Sequence, residues 1–267
     1  MNARPIAGIV LRQLYLMRGS PVRVVPLFAW VAIDIVLWGF ITRYLNSVSA
    51  AGVDFVPTLL GAVLLWDFFI RIMQGVTTAF LEDVWSRNFL NLFATPLSIA
   101  EYVTGLVITS IATSLVGLGV MLALATLVFG LPFFHLGLLL VPFLLVLFCF
   151  GIALGIFASA VVLRLGPASE WLIWPMPALI SPFVGVFYPL STLPAWMRGV
   201  GYALPPSYVF EGLRAVINGQ TFVASELAWG VGLAIVQIVL AGYVFSRVYR
   251  HVVRTGLLAR YSAETVT

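Results

Sequence analysis

The sequence predicts an all-α membrane protein: six transmembrane helices, an N-terminal amphipathic interface helix, a short cytoplasmic helix and a short outer re-entrant helical hairpin. Three observations predict it. Of 267 residues, 62% are hydrophobic and 9% charged, against about 45–50% and about 25% in soluble proteins. The apolar residues come in runs of about twenty or more, the length that crosses a bilayer as a helix. The polar stretches between them are short, so residues 1–267 read as a single membrane domain with no soluble domain attached.

In residues 1–22, Ile6, Ile9, Val10, Leu14 and Met17 recur at helical spacing with Arg4, Arg12 and Arg18 between them. Two placements fit such a helix: along the inner membrane surface, or packed on protein. The first span, 24–44, follows Arg4, Arg12, Arg18 and Arg23 and has no clean small-x-small cleavage site, so a removable signal peptide is not expected. The second span covers 57–80. In residues 82–96, Leu81, Trp85, Phe89 and Leu92 fall on one helical stripe, with Asp83, Ser86, Arg87 and Asn91 opposite. That pattern predicts a short amphipathic helix on the cytoplasmic side, interrupted by Pro96. Ser98-Ile99-Ala100-Glu101 then fits a capping box that starts the third span, 102–129.

The fourth span, 137–163, carries Gly151, Gly155 and Ser159 on one face, suited to close helix contact. The fifth, 171–188, contains Pro175, Pro177 and Pro182, each of which removes a helical donor. Such a segment must be screened by protein or line a wet cavity. Residues 189–214 are apolar yet broken by Pro189, Pro194, Pro205 and Pro206. They read either as two short helices dipping into the outer leaflet, with Trp196, Tyr202 and Tyr208 at headgroup depth, or as a plain apolar outer loop. The sixth span is 227–245.

With the N-terminus inside, ten arginines (4, 12, 18, 23, 87, 164, 247, 250, 254 and 260) lie in cytoplasmic stretches and three (43, 198 and 214) in outer ones. This asymmetry, with six spans, predicts both termini in the cytoplasm.

All fourteen basic residues are arginine. Without lysine there can be no Walker-type phosphate loop and no Schiff base. One cysteine, Cys149, and two histidines, His135 and His251, make neither a disulfide framework nor a closed zinc site, so no metal, cofactor or catalytic residue is expected. The +4 charge comes from arginines scattered beside the spans, which points to membrane lipid and not to nucleic acid.

Three ionisable residues fall inside spans, where burial makes them functional candidates. Asp67 and Arg71 are four apart with the acid first, the favourable order for an intrahelical pair. Asp34 has no partner on its own helix, which leaves protonation, a bond across helices to Arg71, or exposure to a polar channel.

The sequence resembles the membrane subunit of ABC-2 type (type V) exporters. One likeness is Leu92-Phe93-Ala94-Thr95-Pro96-Leu97-Ser98-Ile99-Ala100-Glu101. The more specific one runs from Gly185-Val186-Phe187-Tyr188-Pro189 through Pro194-Ala195-Trp196 and Leu204-Pro205-Pro206-Ser207-Tyr208 to Glu211-Gly212-Leu213-Arg214. The family's acidic, glycine-containing turn is absent from Ser86 to Asn91. The resemblance implies a permease subunit of an ATP-binding cassette exporter in the bacterial plasma (inner) membrane, without catalysis of its own. It would pair with a second copy of the chain, or a similar one, and bind two copies of an ATP-binding subunit that hold ATP and Mg. Residues 82–96 would then be the coupling helix, with Asp83, Trp85, Arg87, Phe89, Asn91 and Phe93 at the ATPase interface. The stripe can instead pack on the chain's own spans. The outer segment would be marked by Tyr188, Pro189, Pro194, Trp196, Pro205, Tyr208, Glu211 and Arg214.

Two other function classes fit parts of the sequence. An ion-driven secondary transporter would use Asp34, but it would be expected to show a broken helix in both halves. A membrane-embedded lipid-modifying enzyme would need clustered interfacial carboxylates, histidines or lysines, and Glu82-Asp83 is the only adjacent acidic pair.

Overall fold

The computed structural model describes residues 3–48, 56–86, 91–92, 94–130, 140–220 and 224–257. All regular structure among them is helical. Helix α1 (Ala3–Arg18) leads into α2 (Pro21–Val48), and a π-helical turn, Val56–Leu60, leads into α3 (Gly61–Trp85). Next come α4 (Ile99–Phe129) and α5 (Leu140–Leu165), then a 3-10 turn at Pro167–Leu172 and α6 (Met176–Val184). After a second 3-10 turn at Leu190–Thr192 the chain forms α7 (Ala195–Tyr202), α8 (Pro205–Ile217) and α9 (Ala224–Arg254).

Among the described residues five helices are long and apolar enough to cross a membrane, within α2 and along all of α4, α5, α9 and the stretch Thr58–Trp85. At about 1.5 Å per residue, each exceeds the roughly 30 Å hydrocarbon core. The expected fifth span is different. Over 171–188 the backbone forms the end of a 3-10 turn and the nine-residue α6, about 13 Å of helix and less than half a bilayer. Prolines are the cause: Pro175 and Pro177 sit at the start of α6 and Pro182 lies inside it. Pro182 cannot donate to the Ala178 carbonyl, and the Ser181 hydroxyl donates to that oxygen instead at 3.0 Å. Side-chain rescue of this kind makes a broken helix tolerable at membrane depth.

Helix α3 is the axis of the bundle. Leu64, Leu65, Phe68, Phe69, Ile72, Met73 and Val76 are all buried along it, with α4 on one side and α5 on the other. The small face of α5 meets α3 as its spacing suggests. A Cβ added at Gly155 would lie 2.8 Å from the Met73 carbonyl oxygen, and one at Gly151 would lie 2.9 Å from Ile72. Helix α9 packs on the far side of α5. Helix α2 is the opposite of α3, with Trp30, Ile33, Leu37, Phe40 and Tyr44 exposed.

Two boundaries shift from expectation. Residues 82–85 belong to the last turn of α3 and not to a separate helix, because Leu81 and Val84 continue its buried stripe with no breaker between. The N-terminal helix packs on protein along one edge: Ile9 and Gln13 are buried and α1 lies against α4, while Leu11, Leu14 and Tyr15 stay exposed. Ser98 caps α4 as a full capping box, its hydroxyl accepting from Glu101 N–H and the Glu101 carboxylate accepting from Ser98 N–H at 3.1 Å.

Candidate functional site

Three polar assemblies interrupt this apolar bundle. The first is a junction at the end of α3. Asp83 is fully buried, and its carboxylate accepts from the Arg12 guanidinium of α1 and, at 2.7 Å, from the Tyr102 hydroxyl of α4. Burial disfavours the Arg12 charge, but the hydrogen bond to Asp83 and that carboxylate's charge outweigh it, so the pKa rises above the ordinary arginine value. One carboxylate thereby ties together α1, α3 and α4. Asp83 was expected on an outward polar face at a partner interface. It points inward instead, because a helix that runs on to Trp85 turns that position towards α1 and α4.

Two residues on, Trp85 is half-exposed and its indole Nε1 donates to the Glu170 carboxylate at 2.6 Å. Glu170 stands in the 3-10 turn that precedes α6, so the end of α3 is linked to the broken segment. Asn91 is exposed and helical. Arg87, Phe89 and Phe93 lie outside the described residues.

The second assembly is a cavity of about 710 Å³ between α1, α2, α3 and α4. Asp34, Asp67 and Arg71 all line it, with Glu82 and the rings of Trp30 and Trp174. The expected pairings do not form. Among the described residues no ion pair joins Asp67 to Arg71 or Asp34 to Arg71, and Asp67 Oδ2 and Arg71 Nε are buried without a hydrogen-bond partner. Helical spacing brings Asp67 and Arg71 to one face, but Arg71 is drawn onto α4. A Cβ added at Gly117 would lie 2.7 Å from its Cδ and Nε.

The third assembly holds the outer segment. Glu211 of α8 accepts from Leu190 N–H at 2.7 Å and from Arg214 at 3.0 Å. Arg214 also donates to the Gly185 carbonyl at 2.5 Å. Gly185 sits at φ 67°, and a Cβ there would come within 3.0 Å of the Tyr188 carbonyl oxygen, so the turn after α6 needs glycine. The Tyr188 hydroxyl donates to the Pro182 carbonyl at 2.8 Å and the Tyr208 hydroxyl to the Tyr202 carbonyl at 2.9 Å. Burial, then the nearby Tyr202 and Glu226, push the Tyr208 phenol up. Pro189 and Pro194 stand at the N-caps of the second 3-10 turn and α7, and Pro205 in the first turn of α8. Trp196 is exposed, its ring 6.2 Å from Phe183 in a T-shaped contact. Residues 189–214 are therefore short helices, α7 and most of α8, and not a plain loop.

Sequence reasoning passed over Arg12 as an ion-pair partner, Tyr102, Glu170, Trp30 and Trp174. A signal that could have found Glu170 is the rarity of a glutamate beside a proline-rich span. The other four match the ordinary composition of membrane-helix ends, and their partners are distant in sequence.

Among the described residues no three His, Cys, Asp or Glu side chains come together in a metal-binding group. A family model described as "ABC-2 type transporter" matches residues 12–218, from the middle of α1 to the residue after α8. No curated protein matches the chain.

Proposed function

The chain belongs to the ABC-2 type transporter family, and from that premise we propose that it is the permease of an ATP-binding cassette exporter that borrows its driving force from separate ATPase subunits. A transporter membrane domain of this family, with five apolar helices among the described residues long enough to cross a bilayer, is a multi-pass membrane protein and supplies the membrane-spanning component of a transporter. Beyond that, the reading is two copies of this chain, or this chain with a similar one, above two copies of an ATP-binding subunit. ATP and Mg belong to those subunits. The assembly sits in the bacterial plasma membrane with both termini in the cytoplasm.

The observation that carries the reading is the junction at Asp83. Asp83 lies at the start of the segment expected to dock on the ATPase, 82–96, and holds that end of it to α1 and α4. A push on that segment would reach three helices through short, charge-assisted bonds in place of dispersing in a flexible loop. Trp85 and Glu170 would carry the same motion to the broken helix α6, and proline-interrupted segments are suited to change conformation within a membrane. The exposed face of α2 supports a neighbour or lipid contact along Ile33, Leu37 and Phe40.

The test is co-purification with a partner carrying a Walker motif, followed by vesicle transport that requires both and ATP. Arg87→Glu should lower ATP-coupled transport without lowering membrane insertion. Transport by the chain alone under a proton gradient would overturn the proposal. That outcome would establish the second reading, an ion-driven transporter, which the carboxylates Asp34 and Asp67 on one cavity favour.

A further inference from the structure

We propose that the cavity between α1, α2, α3 and α4 takes an amphipathic organic cation, held by Asp34 and Asp67 and stacked on Trp30 and Trp174. That this ligand is the exported cargo rests on the exporter reading above. That it binds does not.

The size suits such a ligand, since about 710 Å³ lies within the roughly 300–1,000 Å³ of pockets that enclose drug-sized molecules. The charge selects its sign. Asp34 and Asp67 face the cavity against one guanidinium, Arg71, so among the described residues these three lining groups carry two formal negative charges and one positive. Arg71 does not neutralise either aspartate through an ion pair among the described residues. Its Cδ and Nε are taken up against Gly117, and Asp67 Oδ2 is left buried without a partner. A carboxylate at membrane depth is costly unless a cation meets it, and among the described residues no ion pair supplies one to Asp34 or Asp67.

The neutral lining has the same preference. Thr109, Ser110 and Thr113 line the cavity, and each hydroxyl hydrogen is already given to a backbone carbonyl, of Gly105 at 3.0 Å, Ile72 at 2.9 Å and Thr109 at 3.1 Å. What these oxygens still offer is lone pairs, which accept from or attract a cation. Gln13 Nε2 is a donor without a partner, but an anion reaching it would meet the carboxylates of Asp34 and Asp67. Trp30 and Trp174 leave much of their surface exposed, at 66% and 49%. Indole faces beside carboxylates are suited to a quaternary or delocalised cation with an apolar body.

The experiment uses the full chain in lipid nanodiscs without any ATPase. Tetraphenylphosphonium and tetraphenylborate share shape and greasiness and differ in the sign of their charge, and protein-free nanodiscs measured beside them subtract each ion's own partition into lipid. The phosphonium should bind saturably and the borate should not. The double variant Asp34→Asn, Asp67→Asn should bind the phosphonium about tenfold more weakly or worse, the loss expected when charged contacts are removed. Trp30→Leu, at an exposed position that the fold does not need, should weaken it severalfold and serves as the independent variant if the double one does not fold. Equal binding of the two ions would overturn the proposal, as would wild-type phosphonium affinity in either folded variant. The exporter reading fails separately, through loss of ATP dependence, and that result leaves this binding measurement unchanged.

Discussion

The Trp85 indole and the Glu170 carboxylate, 85 residues apart in sequence, meet in a 2.6 Å hydrogen bond. It joins the last turn of α3, where the chain leaves towards residues 87–93, to the 3-10 turn that opens into α6. If Trp85 works through this bond, removing the N–H or the carboxylate should have the same effect. Trp85→Phe and Glu170→Ala should each lower coupled transport severalfold, and the double variant should be no worse than either. Both groups are solvent-accessible, so the stability cost should stay near or below about 1 kcal/mol. Vesicle transport and thermal unfolding of the three variants check this. Full transport by Trp85→Phe would instead mean that Trp85 acts as an apolar anchor alone.

At the neighbouring junction the expected result is a loss of stability. Asp83→Ala would leave Arg12 and the fully buried Tyr102 hydroxyl without their acceptor, at a cost of about 1–3 kcal/mol. Asp83→Asn keeps one acceptor oxygen for Tyr102 and should lose less. Melting temperatures in detergent micelles should rank wild type above Asn above Ala. An unchanged melt for Asp83→Ala would show that the junction does not hold α1 in place.

Glycine positions offer a contrast that needs no partner protein. A Cβ at Gly155 would press on the Met73 carbonyl, whereas one at Gly119 would meet nothing within 4 Å. Gly155→Ala should therefore destabilise by about 1–3 kcal/mol through overpacking. Gly119→Ala should fall within about 0.5 kcal/mol of the wild type or slightly above it. If the two variants melt alike, the close approach of α5 to α3 is wrong.

The outer segment depends on one carboxylate shared between two donors. Glu211→Gln keeps an acceptor for Leu190 N–H but removes the charge opposite Arg214, and Glu211→Ala removes both. Limited proteolysis should cut between 185 and 204 faster in the alanine variant, with the glutamine variant between it and wild type. Equal rates would dissociate the clamp from the order of that segment.

Sequence alone determined the class of molecule and most of its helices. Runs of apolar residues as long as a bilayer is thick leave the backbone no way to satisfy its polar groups except within a helix, which is why α2, α3, α4 and α5 lie within about five residues of the expected 24–44, 57–80, 102–129 and 137–163, whereas α9 runs on to Arg254, past the expected end at 245. Local chemistry is equally legible. Ser98 and Glu101 are three apart and cap each other through adjacent backbone, and Gly151 and Gly155 mark a close-packed face whatever lies opposite. What only tertiary structure decided is where the charges go. Asp67 and Arg71 have the spacing of an intrahelical pair, yet Arg71 packs on Gly117 of α4. Asp83 sits on the polar side of a helical wheel, yet faces inward to Arg12 and Tyr102. Periodicity says which residues share a face but not which neighbour that face meets, and a side chain as long as arginine can choose among several. The partners of Asp83, Trp85 and Arg71 lie 71, 85 and 46 positions away, and only the packing of α1, α4 and the 3-10 turn around α3 brings them within reach.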